Sequence, residues 1–304
     1  MKKFLPYAYH AWEWKNFENA TVSIATHALH YWIWVFGWMR AVPNPENERE
    51  FILFRLDKHC KRLSLSAKYL WAEYTPEFIE EKINEFLVKN KPSTPIYLRP
   101  LVYTSDLDLS PRLHDIKKDF MLYWMELWDY LSADWITCTI SSYMRQSDAS
   151  FPLRWKISWA YITSALAKTE AVNRWFDDAI LLNASNKVSE WSAMNLFMVR
   201  GGVIYTPWVT EDILEWITRA SVIELARYKW YEVIERQIDK TELFIADEVF
   251  MTWTAAKITP VNKIEQYDLP KEKPVYEDLK NAFDEVVSWK NKKFEHWLTF
   301  VDLK

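Results

Sequence analysis

Glycine is nearly missing from this chain: three residues in 304, Gly37, Gly201 and Gly202. Average usage of ~7% leads one to expect roughly 21. So few glycines exclude a Gly-rich phosphate loop, a nucleophile elbow and an EF-hand, which need glycine where the backbone turns sharply or nears a ligand. Cysteine is scarce too. Cys60 and Cys138 fit neither a disulfide framework nor a zinc-ligand spacing, and read as small buried hydrophobes. No excess of positive charge is present: 38 basic against 42 acidic residues give a net charge of -4, which argues against a nucleic-acid partner. Nor is there a clean apolar run of membrane length. Residues 21–39 come nearest, but His27, His30 and threonine interrupt them, and the signal-like start Met-Lys-Lys-Phe-Leu is cut short by Pro6, His10 and Glu13. With 50% hydrophobic and 26% charged residues, the expectation is a soluble, cytoplasmic globular protein with no membrane partner. His27 and His30 have no acidic or cysteine neighbour to complete a ligand set, so they read as packed side chains, and no metal site is expected.

What is abundant is tryptophan, with 19 residues. Its placement conflicts with local backbone chemistry. Trp71 follows Ser-Ala-Lys-Tyr-Leu, Trp175 follows Glu-Ala-Val-Asn-Arg, Trp230 follows Leu-Ala-Arg-Tyr-Lys and Trp289 follows Glu-Val-Val-Ser, each of which reads as a helix end. The residue just past a helix commonly enters the left-handed region, which glycine does freely and a bulky side chain does not. An indole at four such places is an expected source of strain.

Hydrophobic periodicity marks helices over 57–70, 77–89, 160–174, 218–229 and 275–288. It marks strands over 21–40, 51–56, 95–103, 178–183, 195–199, 203–206 and 231–238, with a further apolar segment over 243–251. Residues 105–118 are polar and turn-rich, and 131–155 join two halves. Strands outnumber helices and run in groups, which implies an α+β fold and not a doubly wound sheet. The division expected is a domain over 1–130, a linker over 131–145 and a second domain over 146–304. At Ile217-Thr218-Arg219 a helix opens after an acidic turn; its amides and the threonine hydroxyl form either an anion site or a simple cap.

Longer strings point further. Ala25-Thr-His-Ala-Leu-His-Tyr31, Val35-Phe36, Tyr97-Leu-Arg99, Ala167-Lys-Thr-Glu-Ala171, Lys187-Val-Ser-Glu190, Asn195-Leu-Phe197, Ala246-Asp-Glu-Val-Phe250 and Thr254-Ala-Ala-Lys-Ile-Thr-Pro260 closely resemble branched-chain amino acid aminotransferases, in order and over nearly the whole chain. Those are two-domain, fold-type IV enzymes dependent on pyridoxal 5'-phosphate, with the D-amino-acid aminotransferase-like fold. The resemblance implies that Lys156 is the Schiff-base lysine and proton-transfer group, that Tyr161 bonds the cofactor's phenolic oxygen, and that Glu190 faces its pyridine nitrogen. It implies that Arg62, the amides of Ile217 and Thr218, and Thr254 hold the phosphate. Tyr31, Phe36, Tyr97, Arg99, Tyr130 and the backbone at Ala255 would form the substrate pocket, with Arg99 meeting the distal carboxylate of glutamate. The reaction implied is amino transfer between leucine, isoleucine or valine and 2-oxoglutarate, by a homodimer or an assembly of dimers with the cofactor between the domains. Tyr97-x-Arg99 and Phe36 favour this branch over D-amino-acid aminotransferases and aminodeoxychorismate lyases, which share the lysine and glutamate. A catalytically dead chain is the reading from another class.

The resemblance also explains the tryptophans. The family has glycine at Trp32, Trp34, Trp38, Trp155, Trp159, Trp175, Trp191, Trp216, Trp230 and Trp253, and the same pattern extends to Trp12, Trp71, Trp124, Trp128, Trp135, Trp208 and Trp289. At ~1–2 kcal/mol for each left-handed position, so many indoles are expected to exceed a typical stability of ~5–15 kcal/mol. A UGA codon, read as glycine by some bacterial lineages and as tryptophan by another translation table, accounts for the exchange.

Overall fold

Thr75 and Pro76 start the helix that anchors the first half. The Thr75 hydroxyl accepts the Phe78 N–H at 3.1 Å, and proline gives up no hydrogen bond in a first turn. From there Ile79, Ile83, Phe86 and Leu87 fall on one buried face at helical spacing. The computed structural model describes residues 4–126, 135–254 and 257–304. Contacts divide the chain into two units: Met1–Trp128 with Trp155–Trp159 and Lys293–Lys304, and Asp129–Arg154 with Ala160–Lys292. Mixed helices and sheets in both bear out the α+β expectation.

The first unit has strands β1 (Tyr7–His10), β2 (Glu13–Asn16), β3 (Trp34–Phe36), β4 (Met39–Asn44), β5 (Asn47–Phe54), β6 (Ile96–Thr104) and β7 (Lys118–Glu126). With the closing strand Leu298–Asp302 they form one antiparallel sheet, ordered Leu298–Asp302, β5, β4, β6, β7, β1, β2, with β3 beside β6. Helices α1 (His27–Tyr31), α2 (Leu56–Tyr69) and α3 (Pro76–Asn90) complete it. The segment Trp155–Trp159 joins this unit by pairing with β3: the Phe36 N–H donates to the Lys156 carbonyl at 3.1 Å and the Ser158 N–H to the Trp34 carbonyl at 2.9 Å.

The second unit has β8 (Ile136–Met144), β9 (Asp178–Leu182), β10 (Val188–Trp191), β11 (Asn195–Arg200), β12 (Val203–Thr206), β13 (Val233–Glu235), β14 (Glu248–Trp253), β15 (Lys257–Ile264) and β16 (Tyr267–Asp268). Its sheet runs β10, β9, β8, β15, β14, β11, β12, β13, with β16 on β15. Helices α4 (Tyr161–Asn173), α5 (Ile217–Tyr228) and α6 (Pro274–Val287) cover it. Ala167 and Ala171 of α4 pack on Ala179 and Leu181 of β9. Gly201 and Gly202 make the two-residue turn from β11 to β12 at φ +58° and +79°, a use only glycine fills without strain.

Helices α2, α4, α5 and α6 all end alike. Trp71, Trp175, Trp230 and Trp289 each donate an N–H to the carbonyl three residues back, and the next residue donates to the carbonyl five back: Ala72 to Ala67, Phe176 to Ala171, Tyr231 to Ala226 and Lys290 to Glu285. This is the Schellman pattern, whose turning residue is usually glycine. The four tryptophans have φ between +57° and +66°, as expected at these helix ends, and Trp12 and Trp32 share the conformation at +65° and +56°. Trp175 and Trp230 are 94% and 95% exposed, so packing does not offset the strain. The seventeen glycine-like sites therefore differ among themselves. Trp124, Trp191, Trp216 and Trp253 are buried and lie outside the left-handed region.

Three expectations differ. Residues 21–40 are not one strand: α1 occupies 27–31, because the His27 ring bonds Thr104 Oγ1 and the Ser110 carbonyl, both at 2.8 Å, and pins a helical turn there. The linker stretch 131–145 contains β8, which pairs in parallel with both β9 and β15, and there Ser141 and Ser142 bond the Glu170 carboxylate. The segment 243–251 begins as a 3-10 turn over Lys240–Ile245, because Asp239 and Glu242 form a capping box, and only then extends. Both cysteines are buried. Among the described residues no helix is long and apolar enough to cross a membrane.

Candidate active site

The first unit buries an amine. Lys156 is 1% exposed, and its ammonium lies 5.0 Å from the Phe36 ring centre and 5.1 Å from that of Trp38. Its backbone is held at both ends, the N–H donating to Ser66 Oγ at 3.2 Å and the carbonyl accepting from Phe36. Ser66 stands four residues after Arg62 on α2 and donates to its carbonyl at 2.8 Å, and His59 stands three residues before Arg62, so the three share one face. His59 is fully buried. Burial first, then the charges of Arg62, Lys156 and Arg55, hold its pKa well below the ordinary value, so it is neutral amid three cations.

The aromatic strand positions gather in the same unit. Tyr97 and Arg99 are two apart on β6 and face one side of the sheet. The Arg99 guanidinium lies 4.8 Å from the Phe36 ring centre and 4.3 Å from that of Trp38, so Phe36, Arg99 and Lys156 form one cluster with Trp38. Tyr31 closes α1 with its hydroxyl donating to the Leu109 carbonyl. Tyr130 and Ala255, both assigned to the substrate pocket, lie outside the described residues.

The second unit buries a carboxylate. Glu190, on β10, is 2% exposed. Arg145 meets its Oε1 at 2.9 Å, while Oε2 accepts from Asn195 Nδ2 at 3.1 Å, the Leu214 N–H at 3.0 Å and the Trp216 indole N–H at 3.2 Å. The Arg145 Nε also donates to the Asp212 carbonyl at 3.1 Å. Charged and hydrogen-bonded partners of this kind favour the ionised carboxylate. Helix α5 begins next door. Its N-cap is Trp216, with no side-chain cap, and Ile217 and Thr218 are buried, so Thr218 is not the cap and the first-turn amides remain an anion-binding start. Arg219 fixes that start through Glu235 and the Pro207 carbonyl, at 2.9 and 2.8 Å. Tyr161 opens α4, and half-buried Thr254 follows β14.

Sequence reasoning missed Arg145. It lies 45 positions before Glu190, and nothing in Met-Arg-Gln-Ser signals a charge partner. Arg145→Met is expected to lower stability by about 3–5 kcal/mol, since removing one partner of a buried pair strands the other charge; urea denaturation of parent and variant measures it. A loss under ~1 kcal/mol would place the pair among weak surface bridges.

Each unit taken by itself offers groups that suit a phosphorylated pyridine aldehyde by their chemistry: a buried amine in the first, and in the second a buried carboxylate and an uncapped helix start. A lysine for the aldehyde and a charged partner for the ring nitrogen are groups that pyridoxal-phosphate enzymes use. The amino-transferase class IV family matches residues 35–264, and the chain belongs to that family. It is 50% identical over 303 residues to a probable branched-chain-amino-acid aminotransferase of Synechocystis, covering 100% of this chain and 99% of that one. The branched-chain aminotransferase of Thermoproteus uzoniensis, solved with norvaline, superposes with a TM-score of 0.92 at 31% identity, over 98% of this chain and 99% of that one. The branched-chain amino acid aminotransferase of Thermobaculum terrenum, solved in its pyridoxal-phosphate form, gives 0.90 at 31% identity, over 98% of each chain.

Proposed function

We propose that this chain transfers the amino group of L-leucine, L-isoleucine or L-valine to 2-oxoglutarate, as a cytoplasmic homodimer or assembly of dimers. The observation that carries this is the 50% identity to the Synechocystis relative over essentially both chains. When bound, pyridoxal phosphate supplies the electron sink that makes the substrate's Cα–H acidic. Lys156 would hold the cofactor, and its amine would take and return the proton at the substrate's Cα. Glu190 would keep the ring nitrogen protonated, and Tyr161 would donate to the phenolic oxygen. Arg62, Thr254 and the amides of Ile217 and Thr218 take the phosphate. Phe36, Tyr31, Tyr97, Tyr130 and the Ala255 backbone receive an aliphatic side chain, and Arg99 receives a distal carboxylate.

Formation of glutamate from 2-oxoglutarate with each L-amino acid, against D-alanine, tests the reading; turnover of D-alanine alone would overturn it in favour of the D-amino-acid branch. The role of Arg99 gives a sharper expectation. Arg99→Leu should raise KM for 2-oxoglutarate by about 10- to 100-fold, the equivalent of a charged hydrogen bond of roughly 1.5–3 kcal/mol. KM for L-leucine should change far less. Equal effects on both would assign Arg99 to a structural role.

A further inference from the structure

A carboxylate offers about four lone-pair sites. Glu190 already receives at least four donors: Arg145 on Oε1, and Asn195, the Leu214 N–H and the Trp216 indole N–H on Oε2. Three of them are tied down by the fold. Arg145 is also bonded to the Asp212 carbonyl, Asn195 Nδ2 is shared with the Leu214 carbonyl at 3.3 Å, and the Leu214 donor is backbone. The fourth is a side chain on the extended residue that caps α5, directly before Ile217 and Thr218. An indole N–H and a protonated ring nitrogen are alike as donors: one N–H in the plane of an aromatic ring. We infer that Trp216 occupies the place on Glu190 that the cofactor's ring nitrogen takes, so that residue 216 governs how tightly the cofactor is held through that nitrogen.

The inference rests on the reading of Glu190 as the nitrogen's partner. Binding then requires the indole to leave Oε2, and its buried ring to leave the volume it fills. Phenylalanine at 216 removes the N–H and keeps most of the volume; glycine, the residue of the resembling family, removes both.

The test titrates apoenzyme with pyridoxal phosphate and with its 1-deaza analogue, in which C–H replaces the ring nitrogen, and reads dissociation constants from cofactor absorbance. Trp216→Phe is expected to bind pyridoxal phosphate about tenfold more tightly than the parent, as for one charge-assisted bond released. It should bind the deaza analogue more tightly by about the same factor, because either ligand has to displace the indole. Trp216→Gly should tighten both, and serves if the phenylalanine variant does not fold. Unchanged affinity for pyridoxal phosphate, or a gain for one ligand only, overturns the inference. Glu190→Gln, titrated alongside, separates the two ideas. If it leaves the preference for the ring nitrogen intact, the reading of Glu190 fails and takes the inference with it. If it abolishes that preference while Trp216→Phe does nothing, only the inference falls.

Discussion

Glycine in place of the six tryptophans that are left-handed among the described residues, at 12, 32, 71, 175, 230 and 289, is expected to raise the thermal midpoint by roughly 10 °C. A left-handed L-residue is disfavoured by ~1–2 kcal/mol, and glycine returns ~0.5–1 kcal/mol of that through the freedom it gives the unfolded chain. The net gain is then ~0.5–1 kcal/mol per site, and distant sites add. Six sites give ~3–6 kcal/mol, and each kcal/mol moves the midpoint by about 2–4 °C at 150–250 residues. Removing exposed indoles changes the surface as well as the dihedrals, so alanine at the same six positions is the control. Alanine keeps its Cβ in the left-handed region and should gain little. Equal midpoints for the glycine and alanine variants would sink the dihedral explanation. Trp191→Gly should go the other way: this indole is fully buried, and deleting it leaves a cavity of the kind that costs ~3–5 kcal/mol.

The same six positions show what could be read in advance. At Trp71, Trp175, Trp230 and Trp289 the helix end is a local event, visible in the apolar spacing that stops and the strand or loop that follows. The conformation after it is dictated by the orphan carbonyls of the last turn. Trp12 lies in the two-residue turn between β1 and β2 and Trp32 follows α1, so both are local as well, but no apolar spacing in the sequence announces either element and only the family pattern marked them. Coding DNA decides what these residues are in the producing cell: UGG at the seventeen glycine-like positions ends the reading of a reassigned UGA.

The site was legible unevenly, for a related reason. Lys156 is one lysine among many until the resemblance singles it out, because its aromatic seat comes from Phe36 and Trp38, far earlier in the chain. Glu190 resembles a turn residue in Lys-Val-Ser-Glu, since its donors come from 145, 195, 214 and 216. The helix start at Ile217 was readable from local chemistry alone, as one of two alternatives. The N-cap is Trp216, with no side-chain cap, so Thr218 is not the simple cap.

Lys156→Ala is expected to lower turnover of L-leucine by at least about 10³-fold, within or beyond the range that positioned proton transfer alone provides. Lys156→Arg is the more telling variant. A guanidinium keeps a cation beside the Phe36 and Trp38 rings, and the backbone bonds to Ser66 and Phe36 do not involve the side chain, so the fold should persist. Arginine nevertheless stays protonated and cannot take a proton from Cα. Its turnover should therefore fall as far as that of the alanine variant. Exchange of the Cα hydrogen of L-leucine with solvent deuterium isolates the step, because it does not require the second substrate. Both variants should lose it, and a small amine added to Lys156→Ala should restore part of it, having a free base and the volume left by the side chain. Exchange within tenfold of the parent in either variant would put the proton on another group. The backbone anchor on β3 and the enclosing rings fix where the side chain at 156 stands, whatever its head group. Arginine at that position therefore separates holding a cation in place from giving and taking a proton, and only the second is required of the base.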